Sequence, residues 1–299
     1  MLSHPTYPII EIPVDARDET EQLGSKPKFW VFLDGHRWLF KESRPTAGED
    51  WAEKAASEIA LLLGITAARV ELAAFQGRAG CISRNFIDSS AGEAVVHGNE
   101  IMATTVHGYD KSKVRMQSEH SLDNIVAAIC KLRGFADTEC ALRTMAGFLV
   151  LDALIGNTDR HHENWGLRVH RPQLGRGVEL TVAPSFDHAS SLGRELTDSK
   201  REQLLANKQV GRYIEKGRGG IFQDAAQLRG QNPLDLVLRA ARSHPSYFQE
   251  ALEALLRVDL DAIDLVLERL PTQRASQSAK MLAQSMVRYS HQKLMQLLK

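Results

Sequence analysis

An acid and a carboxamide five residues apart, in a polar stretch with apolar sequence on both sides, raise the first chemical question. In 156–167 (GNTDRHHENWGL) the pair is Asp159 and Asn164, and a loop that merely meets solvent needs no such flanks. Phosphoryl transfer can use this arrangement: the acid accepts or orients the attacking hydroxyl while the amide oxygen holds Mg²⁺. The same residues also suit an ordinary turn, since Asn, Asp and Gly favour turns for backbone reasons. Asp187 comes next, in 183–193 (APSFDHASSLG), just past an apolar run at 178–182. A carboxylate beyond a strand end can reach a metal on nucleotide phosphates, so Asp187 is the candidate main Mg²⁺ ligand, with a turn acid or helix N-cap as the plain alternative.

Lys41 ends an aromatic-rich run, where a strand lysine can meet nucleotide phosphates and pair with a helix glutamate. Two glutamates of the next predicted helix, Glu53 and Glu58, stand on opposite shoulders of its apolar face, and spacing does not choose between them. Upstream, 23–28 (LGSKPK) lies where a nucleotide-covering loop belongs, with Gly24, Ser25, Lys26 and Lys28 as its candidate contacts. One glycine is not a Gly-rich motif, and GxxxxGK[ST] is absent from the chain. Backbone amides and a lysine can still meet phosphate there. In a different class, His161, His162, Asp159 and Asp187 offer donors for Zn²⁺ or Mn²⁺ in a metallohydrolase, although adjacent histidines do not easily face one metal. A catalytically inactive, nucleotide-binding interaction protein is a further alternative.

The elements that must position these residues are legible. Runs at 28–33 and 37–41 flank Asp34 and Gly35, a strong hairpin signal. From 50 to 63 apolar residues fall on one helical face, with Asp50 as N-cap, Glu53 as its capping-box partner and Gly64 as the stop. Strands are expected at 70–75 and 80–86, and helices at 122–132, 138–155, 248–258, 260–270 and 282–298. The expected fold class is α+β, with a small mixed α/β lobe over 1–105 and a mainly helical lobe over 106–299. Loop, strand lysine, helix glutamate, Asp-x-x-x-x-Asn, strand and Asp follow one another in the order of protein-kinase parts, without GxGxxG, HRD or DFG wording.

Lys plus Arg (37) balances Asp plus Glu (37), so no global charge points to nucleic acid or anionic lipid. Cys81, Cys130 and Cys140 form no CxxC pair, and three buried thiols in a reducing cytosol are expected. The N-terminus carries no secretory pattern, and the most apolar stretch, 148–155, is interrupted by Asp152 and too short to span a bilayer. A cytoplasmic protein without a membrane partner is expected.

The segment 155–164 (IGNTDRHHEN) resembles the N-x-D-x-H-x-x-N catalytic loop of the HipA-like serine/threonine kinases, including the short HipT and CtkA types, and 184–187 (PSFD) resembles their metal-binding Asp segment. Supporting likenesses are 38–41 (WLFK), 48–54 (GEDWAEK) and 97–100 (HGNE), near the expected hinge. The resemblance covers about residues 23 to 270. It implies a protein-kinase-like two-lobed fold, ATP with Mg²⁺ or Mn²⁺, and phosphorylation of protein serine or threonine. By the same resemblance Asp159 is the catalytic acid, His161 organises the loop, Asn164 and Asp187 ligate metal, and Ser25 is a candidate for silencing autophosphorylation. Toxin–antitoxin partners are implied as well: a small antitoxin, and as substrate an aminoacyl-tRNA synthetase or other translation component. Full-length relatives carry an additional N-terminal subdomain for which this chain is too short.

Overall fold

The computed structural model describes residues 4–21, 28–172, 177–223 and 226–298. Six strands, β1 (Ile9–Glu11), β2 (Arg17–Glu21), β3 (Lys28–Leu33), β4 (His36–Glu42), β5 (Val70–Phe75) and β6 (Arg78–Arg84), form one sheet in the order β1-β5-β6-β4-β3-β2. The β3–β4 hairpin turns at Asp34 (φ 49°) and Gly35 (φ 73°), the doubly left-handed pair that a tight two-residue turn requires. Register puts Phe29 opposite Phe40 and Val31 opposite Trp38, and these side chains bury one face of the sheet with Phe75 and Ile82. On the other face Lys28 stands opposite Lys41. Strands β1 and β2, absent from the predicted elements, are short edge strands that alternate too briefly to announce themselves.

Helix α1 (Glu49–Leu62) packs on this second face through Ala52, Ala55, Ala56 and Ile59, all fully buried; the small size of the three alanines lets the helix axis approach the strands. It stops as expected, with Gly64 at φ 67°. Its start corrects the expected capping box. Gly48 occupies the N-cap, the Asp50 carboxylate accepts from Arg274 Nη1 at 2.6 Å, and Glu53 turns into the interior. The first turn lies buried beneath a later segment, and its carboxylates are drawn to arginines, Glu49 to Arg44 and Arg194 and Asp50 to Arg274, instead of closing a capping box.

The remainder comprises β7 (Glu93–His97), α2 (Gly98–Thr105), α3 (Leu122–Lys131), α4 (Thr138–Ile155), β8 (Gly166–His170), β9 (Glu179–Val182), α5 (Asp198–Ala206), α6 (Val210–Lys216), α7 (Pro233–Ser243), α8 (Pro245–Arg257), α9 (Leu260–Glu268) and α10 (Gln277–Leu294). Strands β7, β8 and β9 form a second, antiparallel sheet. Helix α4 is buried on every side from Met145 to Ile155 and packs against α7, α8 and α10, as a helix apolar all round must. Helix α5 buries only Arg201 and Leu204 and therefore offers no stripe to read, whereas α7 carries one (Leu234, Val237, Ala240, Ala241) that the predicted elements omit. Of the cysteines only Cys81 is buried; Cys130 and Cys140 are exposed, against expectation, on polar flanks of α3 and α4. Among the described residues no helix is long and apolar enough to cross a membrane.

Candidate active site

Helix α4 ends at Gly156 (φ 67°), and the chain beyond it folds around one buried ion pair. The Asp152 carboxylate, in the last turn of α4, binds Arg160 through Nε and, at 2.8 Å, Nη2, and accepts Asn157 Nδ2 at 2.8 Å. Arg160 also donates to the Asn164 carbonyl at 2.9 Å and to Ser185 Oγ at 3.0 Å. Inside this frame Asn157 Oδ1 accepts the Asp159 amide at 3.1 Å, and Asn164 Nδ2 donates to the Asp159 carbonyl at 2.6 Å. The amide nitrogen of Asn164 is thereby committed, leaving its oxygen as the face for a ligand. Asp159 projects its carboxylate toward Ser190, whose hydroxyl donates to Oδ2 at 3.4 Å.

The two adjacent histidines diverge. His161 Nδ1 accepts the Glu163 amide at 3.2 Å, closing the turn, while His162 is buried and meets the Tyr109 hydroxyl at 2.7 Å. Their rings are 6.2 Å apart at 80°. Among the described residues no three His, Cys, Asp or Glu side chains assemble as a metal cage, and His161, His162, Asp159 and Asp187 are not brought together as one.

Asp187 arrives on the segment after β9, which is stitched to the first lobe: the Ser185 amide donates to Thr66 O at 2.9 Å and the Ala68 amide to Ser185 O at 2.8 Å. Phe186 stacks on Phe86 at 6.1 Å and meets the His97 ring edge-on. Asp187 is left-handed (φ 61°), a conformation that Asp and Asn tolerate better than most residues. Its Oδ1 lies 3.2 Å from Lys41 Nζ, so the strand lysine and the second loop meet across the cleft. Burial pulls the Lys41 pKa down, but the Asp187 and Glu53 carboxylates outweigh it and hold the ammonium above its ordinary value.

Of the two candidate glutamates, Glu53 faces this cluster. It is buried, with Oε1 3.6 Å from His188 Nδ1, and His188 Nε2 is 2.7 Å from Ser185 Oγ. Burial raises the Glu53 pKa, while Lys41 and His188 more than reverse this and keep it below the carboxylate range. Glu58 is a correction: it pairs with Lys54 at 2.6 Å, and Lys54 continues to Glu71 at 2.8 Å, on the side of α1 turned to β5 and away from the cleft. Lys28 shares the sheet face of Lys41 one strand further out. Gly24, Ser25 and Lys26 lie outside the described residues. The residues the sequence did not single out are Asp152, Arg160, Ser185, His188 and Ser190, which hold the others.

Beneath the loop, the expected hinge segment clasps it by its backbone. The Gly98 amide donates to Trp165 O and that of Asn99 to His162 O, both at 2.9 Å, and a Cβ on Gly98 would lie 2.3 Å from the Trp165 ring. His120 supports the same floor, with Nδ1 2.8 Å from Gly220 O and Nε2 accepting Trp165 Nε1 at 3.0 Å. Burial pushes the His120 pKa down to about 3. A histidine whose folded pKa lies below its unfolded value contributes stability that is complete above about pH 6.5 and is lost as pH falls toward the folded value. Glu53, held below its usual range, adds a loss at lower pH in the same direction. Denaturant unfolding should therefore show stability falling between pH 6.5 and 4.5 by up to about 1.4 kcal/mol per pH unit from His120. His120→Gln, which keeps one donor and one acceptor, should flatten that slope, and a wild type equally stable across the window would contradict the assignment.

A strand lysine and helix glutamate from a sheet lobe, set over two loops of a helical lobe, define a protein-kinase-like two-lobed α+β fold. The model of the HipA-like C-terminal domain matches residues 22–254, and the chain belongs to that family. The Helicobacter pylori proinflammatory kinase CtkA is similar over 97% of this chain and 96% of its own, at 19% identity and a TM-score of 0.75. The HipA toxin of Shewanella oneidensis MR-1, solved with HipB and operator DNA, is similar over 96% of this chain and 68% of its own, at 15% identity and a TM-score of 0.57. At such identities these likenesses concern the fold. No curated protein matches the chain.

Proposed function

We propose that the chain is an ATP-dependent protein serine/threonine kinase of the HipA-like type. The observation that carries this is the convergence of Lys41, Asp187, Asp159 and Asn164 on one cleft from three separate segments, linked by the Lys41–Asp187 pair, the Asn164–Asp159 bond and the Ser190–Asp159 bond. Lys41, held protonated, neutralises nucleotide phosphates. The acceptor hydroxyl delivers its proton to the Asp159 carboxylate as its oxygen bonds the γ-phosphorus, and the bond from that phosphorus to the bridging oxygen breaks to release ADP. Asp187 carboxylate and Asn164 amide oxygen are hard donors of the kind Mg²⁺ or Mn²⁺ takes. Such an ion, held by these two residues, supplies neutralising charge to adjacent phosphates. An inactive nucleotide-binding protein would not need Asp159 turned to the cleft beside an intact lysine and metal-ligand pair.

Incubation with γ-labelled ATP and a cell lysate should label serine or threonine residues. Asp159→Asn should lower kcat at least about a hundredfold while leaving nucleotide affinity nearly unchanged, because the acid aids transfer more than ground-state binding. Wild-type turnover in the variant would remove Asp159 from the mechanism. HipA from Shewanella is found with HipB; a small antitoxin for this chain, and a translation component such as an aminoacyl-tRNA synthetase as substrate, belong to the same proposal. Expression of wild type, but not of Asp159→Asn at matched level, should then slow bacterial growth; equal growth would remove the toxin role and leave the kinase one. Ser25 stays a candidate autophosphorylation site, read out by intact mass in the same incubation: an active enzyme without phosphate on residues 20 to 28 would exclude it.

A further inference from the structure

We infer that a cavity beside Asp159 receives the acceptor segment, and that Lys216 and Arg218 in its lining select segments with an acidic residue next to the phosphorylated serine or threonine; this rests on the kinase function proposed above. The cavity, about 270 Å³, is lined by Thr158, Ser190, Lys216, Gly217, Arg218 and Asn232 among others. Thr158 precedes Asp159 and Ser190 donates to its carboxylate, so two residues of the lining adjoin the group that takes the acceptor proton. Its volume falls below the usual range for pockets enclosing a whole small molecule, and suits one or two side chains of a polypeptide crossing the site.

Lys216, Gly217 and Arg218 of the wall belong to the segment 216–220 (KGRGG), whose glycines lie close against the loop and its surroundings. A Cβ on Gly217 would lie 3.2 Å from Thr158 Cγ2, and one on Gly220 2.8 Å from Arg160 O. Gly230 backs the segment so closely that a Cβ there would lie 1.8 Å from Gly219 O. Asn232 Nδ2 donates to Gly217 O at 3.1 Å, and the Gly219 amide to Gln231 O at 2.7 Å. The backbone that carries Lys216 and Arg218 is thus fixed relative to Asp159.

Both cations are exposed, and among the described residues neither has a carboxylate partner: Arg218 Nη1 donates only to the carbonyls of Glu215, at 3.0 Å, and Gly217, at 2.7 Å. Nearby carboxylates are engaged elsewhere, Glu195 by the Tyr213 hydroxyl and Glu215 by Tyr289 and Lys293. Two rigidly based, unneutralised cations beside a catalytic carboxylate fit an acidic flank on the incoming chain, and offset the repulsion that flank would meet from Asp159.

A serine- and threonine-centred peptide library with ATP and Mg²⁺ tests this. Wild type should favour peptides with Asp or Glu within a few residues of the acceptor, less so at high salt. Combined Lys216→Glu and Arg218→Glu should raise KM for those peptides by about tenfold or more and turn the preference toward Lys- and Arg-flanked peptides. Combined Lys216→Arg and Arg218→Lys should keep the wild-type preference. Peptide phosphorylation with the same preference in wild type and the charge-reversed variant would overturn the acceptor assignment alone. Transfer to no peptide, or only to small-molecule hydroxyls, would overturn the protein-kinase function and this assignment with it.

Discussion

Asp187→Asn is expected to lower turnover at least about a thousandfold, the loss that corresponds to the several kcal/mol a properly held metal contributes to charge stabilisation. Asparagine is the informative replacement because Asp187 sits at φ 61°, where Asn is tolerated and alanine would add backbone strain to the loss of charge. The substitution removes the carboxylate facing Lys41 at 3.2 Å but leaves Glu53, the other carboxylate that raises the Lys41 pKa. Single-turnover transfer from γ-labelled ATP, with nucleotide affinity measured with and without EDTA, separates the two effects. Asp187→Asn turning over at more than about a tenth of the wild-type rate, or binding ATP with the wild type's dependence on metal, would remove Asp187 from the metal site.

Much of the candidate site was legible because its polar residues interrupt the apolar pattern that surrounds them. Asp159, Asn164 and Asp187 stand out as polar residues where apolar runs end, and Lys41 as a lysine at the end of an aromatic strand. Local pattern did not decide where a side chain finds its partner. Asp50 and Glu53 have the spacing of a capping box, yet distant partners, Arg274 for one and Lys41 with His188 for the other, claim both carboxylates. Glu53 and Glu58 were equivalent by spacing; Lys54, four residues before Glu58, takes it to the far side of the helix. Asp152 was visible only as a flaw in the most apolar stretch of the chain, and its meaning required Arg160, eight residues on and folded back.

The residues that sequence passed over form a continuous polar chain between the lobes. Glu53 approaches His188, His188 meets Ser185, Ser185 accepts from Arg160, and Arg160 binds Asp152 and the Asn164 carbonyl. All except the exposed ends of the loops are buried, where an unmet polar group is costly, so the chain favours one relative placement of helix α1, the Asp187 segment and the loop of Asp159. Local secondary structure would permit many such placements.

Asp152→Ala should therefore be among the most destabilising substitutions in the protein. It leaves the Arg160 guanidinium buried without its counter-charge and strips Asn157 Nδ2 of its acceptor. Removing one partner of a buried ion pair costs about 3–5 kcal/mol, which in a chain of this size is a fall in Tm on the order of 10 °C. Screening by salt should not change that loss, because both side chains are sealed from solvent. Replacing both partners, as in Asp152→Leu with Arg160→Met, should cost less than the single change, since no charge is then left unpaired. The double variant should nevertheless lose activity, because Arg160 also fixes the Asn164 carbonyl and Ser185. Thermal unfolding of the two variants, paired with phosphate transfer, decides the matter: a double variant less stable than Asp152→Ala would mean that packing, not the unpaired charge, sets the loss.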